Sequence, residues 1–165
     1  MPNIKRTAAA ILLALCTVLA VGLWAPCTSA ESAQEVLELS RITYAEALSE
    51  DTEGRQAIVW VAQNRVEARG FPKTIHKVLF QRNAFSCTRK GGSPLFRKAK
   101  KFTLKTDDPQ WQSVVRDVRA ALACGRPPWI QGVLFYRERS FAGGAATFDK
   151  LVLAFEIGHH HFFRA

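Results

Sequence analysis

Cysteine is scarce in this chain: four in 165 residues. Cys16 and Cys27 fall in an apolar N-terminal stretch, which leaves only Cys87 and Cys124 beyond it. Neither has a nearby partner in a metal-binding or thiol-redox spacing, so a Cys-ligated zinc module or a dithiol oxidoreductase is excluded. Acid is also in short supply, with 14 Asp and Glu against 23 Lys and Arg and a formal charge of +9. There is no internal repeat and no low-complexity segment. No finger spacing, helix-turn-helix signature or aromatic-basic RNA motif accompanies the positive charge, which removes the usual grounds for a nucleic-acid partner. After the first thirty residues no long hydrophobic run remains.

The first thirty residues have their own logic. Lys5 and Arg6 precede an apolar run from Ala8 to Trp24, and Thr28-Ser29-Ala30 supplies small residues before polar "ESAQE". This order is that of a secretory signal, with cleavage expected after Ala30. An uncleaved membrane anchor is the alternative, since the run approaches spanning length. Cys27 adds a lipoprotein option, although Trp24-Ala25-Pro26 makes a poor lipobox. Export places residues 31–165 in the periplasm or cell wall as one domain. Lys5 and Arg6 are the only charged residues in the signal, so the exported part stays basic and suited to anionic envelope material. In an oxidising compartment Cys87 and Cys124 are expected to form one disulfide, stabilising by roughly 3–4 kcal/mol on the chain-entropy model, with two free thiols as the alternative.

Hydrophobic periodicity predicts a mainly helical domain with a minor β element and one core. Val36, Leu39, Thr43 and Glu46 step along one face of a helix over about Ala33 to Ser49. Asp51 or Thr52 caps a second helix whose buried stripe is Ala57, Ile58, Val61 and Ala62, with Gly70 and Pro72 marking its end. A short helix begins near Thr74. "SCTRKGGSPLFRKAKKFTLKTDDP" reads as a basic surface loop with room for a brief strand. Asp108-Pro109 opens another helix, with Trp111, Val114, Val115, Val118, Ala121 and Leu122 facing inward, and Gly125 closes it. "WIQGVLFYR" has strand composition, "SFAGGAATF" reads as a glycine-rich loop, and "FDKLVLAFEIG" fits a short helix or a strand.

Three features carry chemistry. Glu46 interrupts an apolar stripe; burial disfavours the charged form of a carboxylate, and a carboxyl group that holds its proton can serve as a general acid. Pairing with an arginine such as Arg65 is the structural alternative. Glu50, one turn on, is the candidate second carboxylate. Asn64 also faces the apolar side of its helix, where its amide needs partners at both ends, either from a neighbouring loop or from a sugar. His159, His160 and His161 invite a metal, but consecutive residues rarely address one ion and no partner motif stands nearby, so no metal is expected.

Taken together, "YAEALSE", "EGRQAIVWVAQNRV", "FPKTIHKVLFQRNAFS" and the closing Ile157-Gly158-His159-His160-His161-Phe162 resemble the cell wall hydrolase family typified by the spore cortex-lytic enzyme SleB. The match spans about Leu39 to Arg164. The resemblance implies an α+β, mainly helical, lysozyme-like fold and cleavage of peptidoglycan between N-acetylmuramic acid and N-acetylglucosamine, as a lytic transglycosylase or a muramidase-type hydrolase. It places Glu46 at the catalytic glutamate and Asn64, Phe85, Ser86, Tyr136 and His160 in or near the glycan cleft. It implies glycan strands as the partner, peripheral contact with the cell envelope, a monomer and no cofactor. Departures occur at Ser49, Asp51 and Arg55, where the family usually has Gly, Pro and Gln, and in the stretch after Trp129. A non-catalytic wall-binding protein on the same scaffold and a metal-dependent amidase or peptidase are the competing functions.

Overall fold

The computed structural model describes residues 32–140 and 148–165. The expected signal segment and most of the glycine-rich loop lie outside the described residues. Among the described residues no helix is long and apolar enough to cross a membrane.

Helix α1 (Ala33–Ala47) starts where the Ser32 hydroxyl accepts from the Glu35 amide at 3.1 Å. Helix α2 (Thr52–Glu67) is capped by Asp51, whose carboxylate accepts from the Gly54 amide at 2.9 Å. Such caps satisfy amides that a helix start leaves without partners. Val36, Leu39 and Ile42 of α1 and Ala57, Ile58, Val61 and Ala62 of α2 are buried, as the periodicity requires. Short helix α3 (Ile75–Leu79) follows the Thr74 cap.

The 86–108 region departs from the loop-or-strand expectation. Ser86–Thr88 forms a 3₁₀ turn, and Pro94–Ala99 forms helix α4. The Ser93 hydroxyl accepts from the Leu95 amide, Pro94 occupies the first helical position, and Phe96 and Ala99, three residues apart, are buried. One amphipathic turn with a cap outweighs the surrounding charge and glycine.

Helix α5 (Pro109–Cys124) begins at Asp108, which accepts from the Trp111 amide at 3.0 Å, and ends at Gly125 with φ +71°. Trp111 is fully buried, its indole N–H donating to the Thr103 carbonyl at 2.8 Å, while Trp60 of α2 donates to the Ala121 carbonyl of α5 at 3.1 Å. Burying side chains of this size stabilises by about 1.5–3 kcal/mol each. The Arg55 departure ties three elements: its guanidinium donates to the Leu48 carbonyl at 2.9 Å and pairs with Asp117 of α5 at 3.0 Å.

A 3₁₀ turn at Pro128–Ile130 takes the first part of the expected strand "WIQGVLFYR", and strand β1 is Val133–Glu138. The C-terminal segment resolves to strands, β2 (Val152–Ile157) and β3 (His160–Arg164), forming an antiparallel sheet in the order β1-β3-β2. Tyr136 and Phe155 both pair with Phe162 across the central strand. Tyr136 and Phe155 each pack on the Phe162 ring across the sheet, and Phe162 is buried in the same core cluster as the helices.

The expected Cys87–Cys124 disulfide is not formed; both are free thiols. Cys87 is 2% exposed in the 3₁₀ turn, committed to the core, whereas Cys124 is exposed at the last residue of α5.

Candidate active site

Glu46 lies on the last turn of α1, half-buried at a cleft of about 1140 Å³. Three protein groups hold its carboxylate. Oε1 accepts from the Ser86 hydroxyl at 3.0 Å and from the Cys87 amide at 2.8 Å. Oε2 accepts from the Tyr136 hydroxyl at 3.2 Å. The helix, the 3₁₀ turn and β1 thus converge on one carboxyl group, and the acceptor positions on both oxygens are set by backbone elements rather than by loops alone.

Burial raises the Tyr136 phenol well above its ordinary range, and the nearby Glu46 adds to this while Arg65 opposes it. The phenol therefore keeps its proton across the working pH range. It donates to a Glu46 carboxylate and can accept from a Glu46 carboxylic acid, so Oε2 is the oxygen that can exchange a proton without breaking the Ser86 and Cys87 contacts. The Cys87 thiol is pushed up by burial and then by the adjacent Glu46, which keeps it a neutral, unreactive neighbour.

Arg65 does not pair with Glu46. Its Nε donates to the Leu134 carbonyl at 2.8 Å and its Nη1 to the Ala84 carbonyl at 3.3 Å, with the guanidinium 5.1 Å from the centre of the Phe85 ring. Burial lowers its pKa, while Tyr136 and Glu46 raise it in part. The group clamps β1 and the turn against α2 and leaves Glu46 open toward the cleft.

Phe85, Ser86, Tyr136 and His160 line the same cleft as Glu46. His160 stands edge-on to Tyr136 at 5.4 Å between ring centres, and burial lowers its pKa below the usual imidazole value. Asn64 is elsewhere. Its Nδ2 donates to the Ile130 and Val133 carbonyls, both at 2.8 Å, and its Oδ1 accepts from Arg126 at 2.8 Å. With 4% exposure and these partners it anchors the approach to β1, so the expected sugar contact gives way to the loop-holding alternative.

Glu50 is also buried away from the cleft, at 4% exposure. It accepts from the His159 amide at 3.1 Å and meets His159 Nδ1 at 2.9 Å and His160 Nδ1 at 3.5 Å. Its carboxylate fills the space a side chain at Gly158 would take, since a Cβ there would stand 1.6 Å from Glu50 Oε2. The carboxylate that does share the cleft with Glu46 is Glu138. It was missed in the sequence, although two residues from Tyr136 on a strand is a same-face spacing. Arg82, likewise missed, lines the cleft from the turn after α3.

The histidines separate: His159 meets Glu50, His161 meets Glu156 at 3.1 Å, and His160 faces the cleft. Among the described residues no three His, Cys, Asp or Glu side chains are grouped to hold a metal ion.

The catalytic domain of Bacillus cereus SleB superposes with a TM-score of 0.62 at 21% identity, covering 87% of this chain and 99% of that one. The catalytic domain of the germination-specific lytic transglycosylase SleB from Bacillus anthracis gives 0.60 at 20% identity, with 83% and 99% covered. These likenesses establish the lysozyme-like fold. No curated protein matches the chain. The Cell Wall Hydrolase family model matches residues 49–163, which includes every cleft residue named above except Glu46, three positions before its start. The chain belongs to the cell wall hydrolase family.

Proposed function

We propose that the protein is an exported peptidoglycan-cleaving enzyme that breaks the bond between N-acetylmuramic acid and N-acetylglucosamine as a lytic transglycosylase, with Glu46 as acid and then base. The observation that carries this is the Glu46 carboxyl group, held by Ser86, Cys87 and Tyr136 at an open cleft. The family membership and the solved SleB domains, one of them described as a lytic transglycosylase, support the same chemistry.

Glu46 gives its proton to the glycosidic oxygen as the bond from that oxygen to the muramyl C1 breaks. The resulting carboxylate takes the proton of the same sugar's C6 hydroxyl while O6 bonds to C1, closing a 1,6-anhydro ring. One carboxyl group serves both steps, and its proton is restored at the end. Tyr136 turns from acceptor to donor as Oε2 changes state, so the carboxyl group stays in place throughout. Ser86 and the Cys87 amide keep Oε1 fixed, which leaves Oε2 as the exchanging atom.

Glu138 favours a second reading, hydrolysis by two carboxylates, because it shares the cleft with Glu46. Mass spectrometry of peptidoglycan digested by the wild type and by Glu46→Gln decides between them. Products ending in 1,6-anhydro-N-acetylmuramic acid, made only by the wild type, are expected. Reducing ends would replace the transglycosylase by a hydrolase and make Glu138 the next residue to change. Intact glycan with both proteins would overturn both readings in favour of binding without cleavage.

A further inference from the structure

Beside the cleft lies a second cavity, of about 290 Å³, between the turn that follows Cys87 and helix α4. Four cations line it, Arg89, Lys90, Arg97 and Lys100, and no carboxylate does. Among the described residues none of the four is in an ion pair. Arg89 lines this cavity and the Glu46 cleft alike, so the two adjoin at that residue.

The turn is tightly built. Gly91 has φ +78°, and a Cβ on Gly92 would stand 2.1 Å from the Cys87 carbonyl oxygen. The Gly92 amide closes the turn on the Arg89 carbonyl at 2.7 Å, and the Arg97 guanidinium donates to the Gly92 carbonyl, which holds its charge over the turn. Lys100 stands with Nζ 5.8 Å from the centre of the buried Phe96 ring. Like charges gathered around one cavity repel each other, and an anion bound among them offsets that cost. Guanidinium and ammonium groups together suit carboxylate.

We propose that this cavity binds a carboxylate of the peptide stem carried by the muramyl residue at the Glu46 cleft. The assignment rests on the glycan-cleaving reading and adds to it a preference for strands that still bear their stems. Neutral N-acetylglucosamine gives four unpaired cations nothing to bind. A stem branching from the muramyl lactyl group leaves the strand sideways and carries free carboxylates.

Titration of the ¹⁵N-labelled protein with the soluble tetrapeptide L-alanyl-γ-D-glutamyl-diaminopimelyl-D-alanine tests the site without catalysis. The amide signals of Lys90, Gly91 and Gly92 should shift with the free acid and stay still with the same peptide converted to its amides. Lys90→Gln/Lys100→Gln, with its fold checked in the same spectra, should weaken binding about tenfold. No shift up to about 10 mM peptide, or equal shifts with both peptides, overturns the proposal. With glycan, the ratio of kcat/KM on stem-bearing strands to that on amidase-stripped strands should fall about tenfold in the double variant. Stripped strands keep their lactyl carboxylates, so an equal loss on both substrates would assign the charge to the sugar acid or to general attraction, and sink the stem assignment. Failure of the wild type to cleave any glycan would overturn the enzymatic reading while the peptide titration still reports on the cavity.

Discussion

The Tyr136 hydroxyl lies 3.2 Å from Oε2 of Glu46, with the ring edge-on to His160 on one side and tilted against Phe85 on the other. This contact brings β1 to the end of α1 across 90 residues of chain. Tyr136→Phe removes the hydroxyl and keeps the ring contacts. Glycan cleavage should fall about 10- to 100-fold, the scale for losing one hydrogen bond to a reacting group, with Tm nearly unchanged. Turnover of purified peptidoglycan and a melting curve check both. A wild-type rate would remove Tyr136 from the proton exchange at Oε2.

Glu46→Gln should abolish turnover to at least about a thousandfold below wild type and leave the fold intact. Glutamine keeps an oxygen to accept from Ser86 and the Cys87 amide, so these donors are not orphaned. Glu46→Ala leaves the Cys87 amide without its acceptor and should cost about 1–3 kcal/mol in denaturant unfolding. A Gln variant as unstable as the Ala variant would show that the charge, rather than an acceptor atom, holds the turn.

Much of this site was legible in the sequence where the signal is local. Glu46 announced itself by interrupting an apolar stripe, and Asp51 and Asp108-Pro109 marked helix starts through their own side chains. Asn64 showed that it needed partners, but the Ile130 and Val133 carbonyls are 66 and 69 residues away, and nothing near Asn64 names them. Glu50 shows the same limit: it stands one helical turn from Glu46, but its partner is a backbone amide 109 residues later. An oxidising compartment says nothing of where two cysteines lie, and the fold puts one in the core and one on the surface.

Cys124 should therefore react and Cys87 should not. Brief iodoacetamide treatment of the native protein, followed by peptide mapping, should label Cys124 alone. Cys87 should become labelled only on unfolding, because burial and the neighbouring Glu46 keep its thiol protonated. A reductant should leave Tm unchanged. A mass 2 Da below that of the dithiol peptide pair, two hydrogens lost on bridging, would contradict the structure.

Gly158→Ala should be among the most damaging small substitutions. The residue has φ +52°, where a side chain is strained, and the new methyl would collide with the Glu50 carboxylate. A loss of about 2–4 kcal/mol is expected, from overpacking added to backbone strain. Glu50→Ala clears the space but leaves the His159 amide unpaired. The double variant should thus recover part of the Gly158→Ala loss without reaching wild type. Additive losses in a double-mutant cycle would show that the two positions do not share the space.

Acid should weaken the protein through His160. Burial lowers its pKa in the folded state, against attraction from Glu50, Glu46 and Glu138 and with repulsion from His159. When pH falls through the ordinary imidazole value of 6.5, the unfolded chain takes up a proton at this residue that the folded chain does not. The unfolded state then binds more protons, and stability declines until the folded imidazole also protonates. The contribution is complete above the unfolded pKa and is lost below it. Tm measured at pH 7, 6 and 5 should decline, and His160→Gln should flatten that decline while lowering Tm at pH 7 through lost packing against Tyr136. Equal slopes in the two proteins would locate the acid sensitivity elsewhere.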